Sequence, residues 1–113
     1  MSIRSQVLLV FSNVPDADSA KKLAKHLLEQ RLAACVNISP AVHSLYRWQG
    51  ELEEASEVTL HIKTTQARYA ELEAAIKAAH PYDVPEIIAV PVIEGLPAYL
   101  DWVAQETNRD GNV

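Results

Sequence analysis

The sequence has one cysteine, Cys35, no long apolar run and no cluster of basic residues. A lone thiol excludes an internal disulfide, and with it a stapled secreted scaffold; a reducing compartment is the expected setting. The first apolar run, residues 7–11, is too short for the core of a signal peptide and far too short to span a bilayer. A soluble, cytoplasmic protein with no membrane partner is therefore expected. Lys and Arg number 10 against 15 Asp and Glu, a formal charge of −5. That balance argues against a nucleic-acid partner, because phosphate binding needs clustered Lys and Arg. Also missing are a Walker loop, a Gly-x-Ser-x-Gly elbow and any Cys–His pair at a recognisable spacing, so no enzymatic activity is expected. With no internal repeat or linker, the 113 residues read as a single domain, ordered over 6–107 and ending in a loose tail over 108–113.

What is present is a clear alternation of periods. Residues 7–11 are apolar on both alternating faces, the pattern of a central strand covered on both sides. Pro15 and Asp16 open a helix, with Asp16 or Asp18 as its N-cap and Ala20, Leu23, Ala24, Leu27 and Leu28 along its apolar side. From Ala34 the period becomes two: Ala34, Val36 and Ile38 face one way, Cys35 and Asn37 the other. Pro40 breaks or bulges this strand, which resumes to Trp48, turns at Gln49-Gly50 and returns over residues 51–63. Val58, Leu60 and Ile62 share one face of the return strand; Glu57, Thr59, His61 and Lys63 share the other. Thr64 and Thr65 are candidate caps for a second helix with Tyr69, Leu72, Ala75, Ile76 and Ala79 on its stripe. Pro81 ends that helix by forcing His80 out of the α region. Residues 86–92 form the last strand, marked as an edge by Pro91, and residues 96–107 a short closing helix.

Strand, helix, strand, strand, helix, strand is the split βαβ order of an α+β, ferredoxin-like domain. Right-handed crossovers put the first and third strands in the middle of an antiparallel sheet, with both main helices on one face. The other face then needs a cover for an apolar first strand. One short C-terminal helix looks insufficient, so self-association is the expected answer. The hairpin points the same way. Its arms are longer than the roughly five to six residues of a typical strand, and Tyr46 and Trp48 sit on one side of its tip, far from the core.

Several segments together resemble the CutA family, the divalent-cation tolerance proteins. They are Arg31-Leu32-Ala33-Ala34-Cys35-Val36-Asn37-Ile38, Tyr46-Arg47-Trp48-Gln49-Gly50-Glu51, Glu57 leading to Lys63-Thr64-Thr65, and His80-Pro81-Tyr82 with Pro85-Glu86-Ile87. The resemblance covers most of the chain and implies a ferredoxin-like fold, a homotrimer related in shape to the PII signalling proteins, and a role in tolerance to copper and other divalent metals. It also implies a copper site made from a Cys at the end of the first strand and paired histidines before Pro-Tyr. Here those positions read Phe11-Ser12-Asn13 and Ala79-His80, which leaves His80 as the metal candidate, with Glu86 as a possible carboxylate neighbour. A hydroxyl and one imidazole supply less copper affinity than thiolate and paired imidazoles.

Two ligand classes follow. One is copper or another divalent cation bound weakly through His80. The other is a small molecule or anion held between subunits, with Lys63 supplying charge, Tyr46, Trp48 and Tyr82 supplying walls, and Glu86 at the rim. Against the second stands an ordinary cross-strand or intersubunit ion pair between Lys63 and Glu57. Cys35 reads as a small hydrophobe, His61 as a polar interface contact, and His26 and His43 as solvated. The loop Ser12-Asn13-Val14-Pro15 carries neither glycine nor arginine, unlike the phosphate loop of the acylphosphatases that share this fold class.

Overall fold

A computed structural model describes residues 5–109 of the chain. Its elements run β1 (Val7–Val14), α1 (Ala17–Glu29), β2 (Cys35–Trp48), β3 (Glu51–Thr65), α2 (Gln66–Ala79), β4 (Ile88–Pro91) and α3 (Pro97–Glu106). The four strands form one antiparallel sheet in the order β2-β3-β1-β4. The first and third strands are central, as the right-handed crossovers of the ferredoxin-like plan require.

Local chemistry places each element. Asp16 caps α1, its Oδ1 accepting the Ser19 N–H at 2.7 Å, and so satisfies one of the orphan donors of the first turn. The same helix ends on Arg31, whose φ of 57° is left-handed. Leu32 N–H reaches Leu27 O at 2.9 Å and Arg31 N–H reaches Leu28 O at 3.1 Å, the paired bonds of a Schellman ending. A non-glycine residue there costs about 1–2 kcal/mol. Its side chain is well used, however: Nε donates to Asn108 O and Nη2 to Gln105 O, both at 3.1 Å. Those carbonyls close α3, so a cation sits where the helix dipole favours one.

Arg68 makes the reciprocal tie from α2. It is buried, yet its Nη2 donates to Gln30 O, its Nε to Arg31 O, and its Nη1 to Glu71 at 2.9 Å. Glu71 also pairs with Arg109. Asn108 and Arg109, the expected start of a loose tail, are therefore held to α1 and α2; the rest of that segment, 110–113, lies outside the described residues, as do residues 1–4. The second helix differs from its expected stripe as well. Leu72 and Ile76 are buried, Ala79 is exposed, and Arg68 takes the remaining inward position. Thr65 occupies the N-cap position, but neither Thr caps with its hydroxyl. Thr64 donates to Leu32 O at 2.6 Å and Thr65 faces the Thr107 hydroxyl at 3.5 Å.

One core lies between the helices and the sheet, formed by Leu8, Val10, Val14, Leu60 and Ile62 against Ala20, Leu23, Leu27, Leu72 and Ile76. On the opposite face α3 crosses one end of the sheet. Val103 and Thr107 are buried there with Val7 and Thr65. The closing helix thus covers the start of β1 on this face, while Leu9 and Phe11 stay half-buried.

β2 and β3 extend well past both helices and stretch the molecule to 52 Å along its longest axis. Gln49 and Gly50 turn the hairpin with φ of 51° and 83°, the two positive values of a type I′ turn whose twist matches the strands. Pro40, which has no N–H to give the ladder, sits in a bulge between Ser39 and Val42. Below it Val36 faces Ile62 and Ile38 faces Leu60, on the helix side. Above it Val42 faces Glu57, Tyr46 faces Glu53 and Trp48 faces Glu51. The extra residue exchanges the faces of β2, so even-numbered residues leave the helix side and Tyr46 and Trp48 join the face of Glu57. β4 is shorter than expected and is an edge: it pairs with β1 alone, and Ile88 and Val90 are exposed.

Candidate functional site

Pro81 holds His80 in extended conformation, with ψ of 135°, at the C-cap of α2. The turn directs the imidazole inward, where it is 9% exposed. Nε2 lies 2.7 Å from the carbonyl of Asn13, and the Tyr82 N–H approaches Nδ1 at 3.2 Å. A carbonyl can only accept and an N–H can only donate, so Nε2 carries the proton and Nδ1 the lone pair. The neutral ring's single lone pair is thereby spent on a backbone N–H. His80, the metal candidate of the sequence, bridges the end of β1 and the 80–86 loop through these two bonds. Its ring also packs on Tyr82, with centroids 4.7 Å apart. Among the described residues no group of three or more His, Cys, Asp and Glu is placed to hold a metal ion.

Tyr82 extends this bridge to the hairpin. Its hydroxyl donates to Glu57 Oε2 at 2.8 Å. Burial first, and then the Glu57 carboxylate, push its ionisation up to about 12. Tyr82 therefore remains a donor throughout the physiological range. Glu57 is only 7% exposed although it lies in the outer half of β3. Asn13 links the remaining parts, accepting the Thr59 hydroxyl at 2.6 Å and reaching Glu86 Oε1 at 3.4 Å.

These residues line a cleft of about 580 Å³ between the projecting hairpin, as far out as Trp48 beside its turn, and the 80–86 loop. Tyr46, Trp48 and Tyr82 supply its rings, Glu57, Asp83 and Glu86 its acids, and Asn13, Ser44, Leu45 and Val84 the remainder. Four of the five cleft residues expected from the sequence, Tyr46, Trp48, Tyr82 and Glu86, meet here. Lys63 does not. It lies opposite Cys35 and Leu9 at the far end of β3, donating to the Asn37 side chain. Six residues of strand put it about 20 Å from Glu57, so the two do not pair within one chain, where Glu57 takes the Tyr82 hydrogen bond instead. Within one chain the cleft therefore carries three carboxylates and no lysine.

Other candidates are dispersed. Cys35 is half-buried beside α3, near enough to Tyr99 that its presence, after burial, raises the Tyr99 hydroxyl. His61 stands edge-on to Phe11 at 5.6 Å. His43 bonds Glu54 at 2.7 Å on the exposed hairpin, and His26 is exposed on α1. Glu57, Asn13 and Asp83 were not anticipated as cleft residues. Glu57 was within reach of the sequence: a two-residue turn at 49–50 pairs Trp48 with Glu51 and Tyr46 with Glu53, which puts Glu57 on the aromatic face.

With this geometry in view, likeness to known proteins is informative. The CutA1 divalent ion tolerance protein family matches residues 8–106. The divalent-cation tolerance protein CutA of Thermus thermophilus is 50% identical over 99 residues, covering 88% of this chain and 96% of that one. Protein CutA of the mouse is 42% identical over 110 residues; the match spans 97% of this chain but 62% of the longer mouse protein. The solved divalent cation tolerance protein of Thermus thermophilus superposes with a TM-score of 0.88 at 48% identity, covering 90% of this chain and 99% of that one. The chain belongs to the CutA1 divalent ion tolerance family.

Proposed function

We propose that this chain serves divalent-cation tolerance as a homotrimeric, PII-like sensor that takes a small ligand in its hairpin cleft, and not as a tight copper store. The cleft carries this reading: aromatic walls and buried polar groups converge in one concavity of about 580 Å³, within the range of small-molecule sites. Copper or another divalent cation is held weakly at most. Binding at His80 requires the ring to give up the Tyr82 N–H, and Glu86 adds one hard oxygen to a metal that favours nitrogen and sulfur.

Assembly is supported by what the single chain leaves uncovered. Leu45, Tyr46, Trp48 and Leu52 are exposed on the hairpin, and Ile88 and Val90 on the open edge of β4. Edges of that kind invite pairing with another chain. The proposed setting is the cytoplasm, without nucleic-acid or membrane partners and without catalysis; among the described residues no helix is long and apolar enough to cross a membrane.

A thermal-shift screen of metabolites and divalent metals, paired with copper calorimetry on wild type and His80→Ala, tests the reading. Metabolite-dependent stabilisation with weak copper binding, insensitive to His80→Ala, is expected. Tight copper binding abolished by His80→Ala would restore the metal-store alternative. Sedimentation at micromolar concentration should give three times the chain mass, and a monomer there removes the assembly.

A further inference from the structure

The sheet face turned away from α1 and α2 is charged at its two ends and apolar between them. On it β3 carries Glu57, Thr59, His61 and Lys63, beside Leu9 and Phe11 of β1 and Ile88 and Val90 of β4. Lys63 is the one Lys or Arg among the described strand residues of this face. Neither end charge finds a counter-ion in its own chain. Glu57 is nine-tenths buried, accepts the Tyr82 hydroxyl and makes no ion pair among the described residues. A carboxylate held that far out of water bears a desolvation cost that one neutral donor only partly offsets. Lys63 donates to the Asn37 side chain, a neutral amide, and makes no ion pair among the described residues either.

Six residues of strand hold the two charges about 20 Å apart, so no change of rotamer joins them within one chain. A second copy of the chain removes that limit. Between the charges lie Leu9 and Phe11, half-buried, and Ile88 and Val90, exposed, which only a second layer takes out of water. The same patch runs into the open edge of β4, where pairing with another chain is invited. An acid at one end and a base at the other make the face complementary to itself, while juxtaposing like ends would set charge against like charge. A small cation or an unrelated basic partner would answer Glu57 and leave Lys63 unmatched; a copy of the chain answers both.

We propose that Lys63 of one copy enters the hairpin cleft of the next and pairs there with Glu57. The contact is head-to-tail: each chain offers Lys63 to one neighbour and Glu57 to the other, the kind of interface that closes into a ring. This pairing rests on the chain assembling as a homotrimer, and it adds the residue with which a neighbour completes the ligand cleft. The three carboxylates that line the cleft in one chain then face an ammonium group from the next.

A double-mutant cycle on the intact protein, read by sedimentation over a dilution series, tests the pairing. Glu57→Gln keeps an acceptor for the Tyr82 hydroxyl and Lys63→Met keeps the aliphatic stem, so each removes one charge. Each should raise the dissociation constant of the assembly by about 10-fold, and the double variant should dissociate no more readily than either single one. Carbodiimide coupling, which joins an amine only to a carboxylate in contact with it, should give chain multimers whose digest contains Lys63 joined to Glu57. Lys63→Arg keeps the charge but cannot couple, so it should retain the assembly and lose that linkage. Additive losses in the cycle, wild-type assembly in both single variants, or Lys63 joined to another carboxylate or to none overturns the pairing while the assembly stands. A wild-type monomer at micromolar concentration removes both. If Glu57→Gln loses its secondary structure by circular dichroism, Lys63→Met and the digest decide alone.

Discussion

β2 and β3 pass through two environments, and the bulge at Pro40 separates them. Below it, Val36, Leu60 and Ile62 lie under α1 and α2, and the two β3 residues are fully buried. Above it the same pair of strands carries Leu45 and Leu52 with more than half of their surface in water. The residue types are similar in both halves; the difference is what stands opposite them. Hydrophobic residues stabilise only where a second layer removes them from water, so the inner half holds the chain together while the outer half is available for contact.

The comparison makes a graded set of expectations. The largest concerns the inner half: Leu60→Ala or Ile62→Ala should cost about 2–5 kcal/mol, the usual loss for a buried aliphatic side chain, read from the denaturant midpoint. Leu52→Ala, at 70% exposure, should change the unassembled fold by less than about 0.5 kcal/mol. A large loss in an unassembled chain would break the division between the halves. Next is Arg68→Ala, which strips donors from the carbonyls of Gln30 and Arg31 and should cost about 1–3 kcal/mol. Arg31 gives a smaller and subtler effect. Both Arg31→Ala and Arg31→Gly lose the bonds to α3, but Gly accepts the left-handed φ, so Arg31→Gly should be the more stable by about 1 kcal/mol. Equal stabilities would show that the ending relaxes when the side chain is removed.

The smallest effect is at Asp16, whose carboxyl is held below its ordinary value of 3.8, chiefly by the Ser19 N–H. A lowered folded-state value means the cap's ionic contribution is full above about pH 4, the unfolded value, and is lost as pH falls through the lower folded one. Asp16→Asn should therefore lie slightly below wild type at neutral pH and converge with it in acid. A gap that stays constant into acid would mean the cap works without its charge.

What could be read from residues alone divides along the same boundary. The period-two run of Val58, Leu60 and Ile62 and the helical spacing of Leu23, Ala24 and Leu27 both report on a buried layer, so the sheet order and the two main helices follow from them. Arg68 escaped because a buried arginine on a helix has no signature in periodicity; only the carbonyls it meets, contributed by a different helix, explain it. Lys63 and Glu57 share a face and have opposite charges, but strand spacing keeps them apart within one chain. At the cleft, aromatic residue types marked the right segment, while its acidic character comes from two parts of the fold, Glu57 on β3 and Asp83 with Glu86 in the 80–86 loop.

The bulge also sets what length changes this hairpin can absorb. Adding or removing two residues in one arm above it preserves which way every side chain points and merely moves the tip. A change of one residue at 39–41 leaves the helix-packed half untouched but turns Tyr46 and Trp48 away from Glu57. Relatives that differ in hairpin length by an even count can therefore share this cleft. Those that differ by an odd count, without a compensating bulge, have the same fold and a different surface.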